Sequence, residues 1–119
     1  MAQRYYEQGN TGTYVLELEG DFTDRDKESM QALEKTVNEL SKNPELKRLI
    51  IYQKGSVQID TAGLGQVIGL CASLYQRKVN PVKASFVGLD GAFYILFERC
   101  KIGNVFEKYD TLEEAIKAN

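Results

Sequence analysis

The chain has 119 residues, 43% of them hydrophobic and 27% charged, a size and balance that suit one domain, residues 1–119, with its own core. Its 15 basic and 17 acidic residues are mixed along the sequence and leave a net charge of −2, which excludes the concentrated basic face that nucleic acid requires and gives no polybasic membrane signal. Histidine is absent, and with it go the commonest general base, the commonest metal ligand and the usual pH switch, so the composition leans away from enzymes.

The opening residues, Met1-Ala2-Gln3-Arg4-Tyr5, lack the apolar core of a signal peptide, and no apolar run is long enough to cross a bilayer. A cytoplasmic chain with no membrane insertion is expected. Residues 4–8 read as a short edge strand, joined through the "GNTG" turn to an alternating strand over residues 13–19. Tyr14, Leu16 and Leu18 share one face of that strand, and Val15, Glu17 and Glu19 the other. "GDFTDRD" breaks the alternation, and Thr23 or Asp24 is placed to cap a helix carrying Met30, Leu33, Val37 and Leu40. That helix ends near Lys42-Asn43-Pro44.

"LKRLIIY", residues 46–52, contains a continuous apolar run, as expected of a strand covered on both faces. After "QKGS" a separate brief "VQI" leads into Asp60-Thr61-Ala62-Gly63. A helical stripe follows in Leu64, Val67, Ile68, Cys71 and Tyr75. Residues 82–89 alternate as a strand. "GAFYILFE" is apolar nearly all round, which predicts a buried helix; partial exposure of Phe93 or Tyr94 would make an interaction surface. Gly103 is placed to end that helix. "NVFEKY" reads as a last edge strand. The closing helix begins with a capping box, Asp110 to Glu113 or Thr111 to Glu114. Cys71 and Cys100 both lie in apolar helical patterns and are read as two buried thiols, with no disulfide and no metal site. The element order predicts an α/β fold: a mixed, largely parallel β-sheet of four to five strands covered by about four helices.

Asp60 and Thr61 fall where a strand ends and a helix begins, the place where open α/β sheets tend to meet ligands and partners. Either residue can equally be a plain N-cap, with Gly63 and Gly65 permitting close helix–sheet packing and Gly69 marking another close contact. "GLGQVIG" matches neither the dinucleotide fingerprint nor the P-loop pattern, so no cofactor is expected. Asp21, Asp24 and Asp26, like Glu113 and Glu114, read as caps and solvated faces, and the scattered tyrosines as core and rim.

Three blocks together resemble the STAS domain family: "YVLELEGDFT", "VQIDTAGLGQVIGL" and "FYILFERCKIGNVFEKYDTLEEAIKA". The middle block, the most specific, is similar to the family's apolar-x-apolar-Asp-Ser-Ser/Thr-Gly-Leu signature. The resemblance implies a non-enzymatic regulator like the anti-sigma-factor antagonists, docking on a serine-kinase anti-sigma factor through Asp60, Thr61, Ala62, Gly63 and Leu64, with Asp21 beside them. In such proteins the hydroxyl two residues after the aspartate is phosphorylated. Here that position is Ala62, which leaves Thr61 as the candidate acceptor or the switch lost. A second departure is Tyr52-Gln53, where many relatives carry an aspartate. The alternative implied by D-T-x-G-L is an accessory subunit of a bacterial phospholipid ABC transporter, docked on its ATPase. Pairing of two copies through an edge strand is left open.

Overall fold

The computed structural model describes residues 2–118, with Met1 and Asn119 outside the described residues. Five strands form one sheet in the order in which they occur along the chain: β1 (Ala2–Glu7), β2 (Thr13–Phe22), β3 (Arg48–Ile59), β4 (Lys83–Val87) and β5 (Glu107–Tyr109). β1 runs antiparallel to β2, and the other pairings are parallel. Between the parallel strands lie α1 (Lys27–Ser41), α2 (Thr61–Tyr75) and α3 (Gly91–Arg99), and α4 (Leu112–Lys117) closes the chain. The expected mixed, largely parallel sheet with four helices is therefore what the chain forms.

Successive crossovers that advance the same way across a sheet carry their helices to one face. Leu16, Leu18, Leu49, Ile51 and Phe86 pack there against Leu33 and Leu40 of α1, Leu64, Val67, Leu70 and Leu74 of α2, and Phe93 and Phe97 of α3. The opposite face carries a smaller cluster of Val15, Ile50 and Val87 under Ala115, with Leu112 and Ile116 of α4 beside it. Both faces of the central strands are covered, as the apolar run in β3 predicts. Glu17 belongs to the second face and is only 7% exposed. Burial pushes its carboxyl up, but the hydrogen bond (2.6 Å) and charge of Arg4, helped by Lys54, outweigh burial and hold it below the usual carboxylate range.

Several local expectations give way to tertiary contacts. β3 is one strand of 12 residues, not two pieces; the pairing with β2 shifts between Leu18 and Gly20, so the "QKGS" segment is accommodated as an irregularity within the strand. The cap of α1 is Asp26, whose side chain accepts from the Ser29 amide at 3.0 Å, and not Thr23 or Asp24. Thr23 is instead buried and tied to Asp21, and the Asp24 amide is given to Asp60. Tyr75 is 63% exposed, because the inward stripe of α2 runs through Leu64, Val67, Leu70, Cys71 and Leu74. Gly65 and Gly69 face open space rather than a close neighbour. The α3 helix is buried only along Phe93 and Phe97, and leaves Tyr94 and Ile95 exposed. Its chain reversal is made by Lys101 in the left-handed region, φ 57°, before Gly103 is reached. Of the two capping boxes, the one at Thr111 forms: its hydroxyl oxygen accepts from the Glu114 amide.

The cysteines also differ. Cys71 is buried on α2, where desolvation pushes its thiol up to about 12. Cys100, expected to be buried, is the exposed residue that follows α3. Thiol reagents attack accessible thiolate. Titration of the native chain with a chromogenic disulfide should therefore release one equivalent, from Cys100, and a second only after denaturant opens the core; two equivalents from the folded protein would contradict this packing.

Candidate functional site

β2 and β3 are parallel, so both end on the same edge of the sheet, at Phe22 and Ile59. The loops that follow are thereby brought side by side, although 36 residues separate Asp24 from Asp60. Asp60 is the N-cap of α2 in extended conformation, φ −115°, ψ −172°. Its Oδ1 accepts from the Gly63 amide at 3.0 Å, the usual capping bond. Its Oδ2 accepts from the Asp24 amide at 2.8 Å and so fastens the β2–α1 loop to the start of α2. These backbone donors, Asp24 first and Gly63 second, hold the Asp60 carboxyl below the usual carboxylate range against a smaller opposing effect of burial.

Gly63 explains how closely the two segments approach. A Cβ at this position would fall well inside contact with the Phe22 carbonyl oxygen and 3.0 Å from Ile59 Cγ1. The first turn of α2 therefore lies directly on the end of β2, a seat open only to glycine. Of the residues singled out from sequence, Thr61 and Ala62 are exposed on that first turn and Asp60 is half-buried. Gly63 and Leu64 are buried, Leu64 as part of the main core, and they set the loop's position from beneath. Asp21 lies near the end of β2, half-buried, with Oδ1 accepting from the Thr23 amide at 2.9 Å and the Thr23 hydroxyl at 2.6 Å. The capping bond belongs to Asp60, so Thr61 is the first helical residue, with its side chain outward.

Two features have no counterpart in the sequence reading. The Asp24 amide enters as a donor from a distant loop, a contact for which local spacing gives no signal. Gln53, noted only as a departure, is buried and fully used: its Nε2 donates to Asp90 Oδ1 at 2.7 Å and Gly55 O at 3.1 Å, while its Oε1 accepts from the Asp90 amide at 3.0 Å. This exchange fixes the start of α3 to β3, beside the edge that carries Asp60. Among the described residues there is no group of three or more acids and cysteines arranged to hold a metal. No helix of the described residues is long and apolar enough to cross a membrane.

A sheet in chain order, with three helices on one face and a capped, exposed loop at the strand ends, is the architecture of a small α/β domain. The STAS domain model matches residues 6–115, and the chain belongs to the STAS domain family. Its fold is similar to that of the Bacillus cell fate determinant SpoIIAA in the phosphorylated form, at 19% identity and a TM-score of 0.69, over 97% of this chain and 96% of that one. It is also similar to an anti-sigma factor antagonist from Mycobacterium paratuberculosis, at 17% identity and a TM-score of 0.74, over 97% and 90% of the chains. A sulfate transporter family protein from Wolinella succinogenes is similar at 17% identity and a TM-score of 0.68, over 87% and 81%. At these identities the likeness is one of fold. No curated protein sequence matches.

The Asp60 clamp predicts a pH signature. An aspartate with a lowered native pKa stabilises the fold above its unfolded value of about 3.9, and that stabilisation is lost as pH falls through the native value. Asp60→Asn keeps one acceptor but turns an amide N–H toward the other donor, and should cost about 1–2 kcal/mol in urea unfolding at neutral pH. The gap between wild type and variant should narrow on acidification below the unfolded value; a gap independent of pH would remove the charge from the account. Gly63→Ala should cost about 3 kcal/mol by the same measurement.

Proposed function

We propose that this chain is a non-enzymatic, protein-docking regulator, cytoplasmic and similar in role to an anti-sigma-factor antagonist. It engages a serine-kinase anti-sigma factor, or a related regulatory protein, through Asp60, Thr61 and Ala62, with Asp21 at the rim and Gly63 and Leu64 shaping the loop. The observation that carries this reading is the combination at α2: Thr61 and Ala62 are exposed on a first turn that Asp60 and Gly63 hold rigidly. A preformed, exposed turn loses little conformational freedom on docking. A catalytic reading has less support, since both oxygens of the Asp60 carboxylate are engaged by backbone amides and the chain has no histidine.

Thr61 is the one hydroxyl at this turn, because the following residue is Ala62. A phosphoryl group there would sit at a helix N-terminus, which favours negative charge, yet next to the Asp60 carboxylate, which repels it. Its main effect would fall on the partner, through added charge and bulk at the contact surface. The accessory-subunit reading, docking on a transporter ATPase, would use the same turn and differs only in the partner. The residue pattern D-T-x-G-L favours it, and it stands second.

The test is direct. Thr61→Glu should weaken capture of the cognate regulator from the source cell by about tenfold or more, while Thr61→Ala leaves it intact. Equal capture by all three forms would place the interface elsewhere. Phosphopeptide mapping after incubation with the recovered kinase should find Thr61, and modification confined to other residues would assign it no switching role. An ATPase and permease in place of a kinase would favour the accessory-subunit reading.

A further inference from the structure

At the opposite end of the sheet, where β3, β4 and β5 begin, a recess of about 440 Å³ opens between the end of α2 and the segment leading into β5. It belongs to neither the Asp60 turn nor the core. Its volume lies in the range of small-molecule sites. Tyr75, 63% exposed, and Val105, 74% exposed, flank it, with Phe106 beside them. Large apolar side chains held in water around a concave surface mark a place that something else covers.

The charged groups at this recess leave a surplus of one positive charge. Arg48 and Lys83 bring two positive charges, against one carboxylate, Glu107, which accepts a hydrogen bond from the Tyr109 hydroxyl. Arg48 is held in place by the Ala115 and Ile116 carbonyls at the end of α4. Ser85, 5% exposed, also lines the recess, and its hydroxyl has no partner among the described residues. Buried hydroxyls are nearly always satisfied, so an unpartnered one at a recess wall points to a ligand.

A peptide strand fits less well. β5 pairs with β4 from Ser85 to Val87 only, so the free edge of β4 is Lys83 and Ala84. Two residues offer a ladder too little to hold an added strand, since alternate residues point their backbone groups away. We propose that the recess binds a small amphiphilic carboxylate. Ser85, like Val87 and Arg48, faces the α4 side of the sheet, whereas Phe106 and Tyr75 stand on the α2 side. The recess therefore wraps the free edge of β4 at Lys83 and Ala84, and the ligand's apolar body crosses that edge to lie against Tyr75, Val105 and Phe106. Its carboxylate meets the Lys83 ammonium and the Arg48 charge and accepts from the Ser85 hydroxyl. This site is independent of the Asp60 turn and takes a different class of ligand.

Decanoate, with neutral decanol as its control, tests the proposal on the full-length chain by calorimetry and amide chemical shifts. Decanoate should saturate at one molecule per chain below its micellar concentration and shift the amides of Lys83, Ser85 and Val105. Decanol should bind about tenfold more weakly, as should decanoate to Lys83→Glu and to Val105→Asp, both exposed positions whose replacement leaves the core intact. Ser85→Ala should lose affinity without losing thermal stability, because it removes an unsatisfied group. Thr61→Glu should bind decanoate as the wild type does. No saturable binding, equal binding of the alcohol, shifts confined to other regions, or indifference to the variants would each overturn the assignment.

Discussion

The seat of α2 on the end of β2 is the contact on which the rest of the site depends. It needs two things at once: no side chain at Gly63, so that the helix can approach the Phe22 carbonyl, and a carboxylate at Asp60 that accepts from both loops. Neither works alone. Without the clamp, the β2–α1 loop would have to satisfy the Asp24 amide with water; without the glycine, the helix would stand off and draw Asp60 out of reach. The exposed turn that carries Thr61 and Ala62 is thus capped locally and fixed in position by long-range contacts.

The same economy governs the sheet. With strand order following chain order, all three long helices fall on one face, and the other is closed by a helix of 6 residues only. That thin cover is held at its end by Arg48, whose guanidinium donates to the Ala115 and Ile116 carbonyls, a cation placed at a helix C-terminus. Beyond α4 the second face is finished with a charged group: Glu17 with Arg4 and Lys54, and the Tyr6 hydroxyl at 3.3 Å. An isolated buried carboxylate there would be costly; with two cations and a hydroxyl it is satisfied. Arg77 plays a comparable part on the other side, where it donates to the Ser41 and Asn43 carbonyls at 2.9 and 2.8 Å and closes the end of α1.

The two ends of the sheet differ in chemistry. The carboxyl end carries polar, acid-rich loops in which the Thr23, Asp24 and Gly63 amides donate to carboxylates. The amino end carries aromatic and aliphatic groups around a recess with surplus positive charge. The length of β3 separates the two ends, with Leu49, Ile50 and Ile51 buried between them.

What the sequence by itself determined is whatever rests on near neighbours. The alternation of residues 13–19, the stripe of Leu33 and Leu40, the apolar run of β3 and the Asp-Thr-x-Gly turn are local patterns, and with them came the α/β order and the placement of the site at a strand end. The absence of histidine narrowed the chemistry in the same way. Only the tertiary structure decided the pairs that span the chain: Asp24 with Asp60, Gln53 with Asp90, and the irregularity that keeps Arg48–Ile59 a single strand. It also decided which sides of α2 and α3 meet water, so that Tyr75 and Cys100 are exposed while Cys71 and Leu74 are not. Periodicity gives the direction of a side chain relative to its neighbours, but burial depends on what the rest of the chain places opposite it.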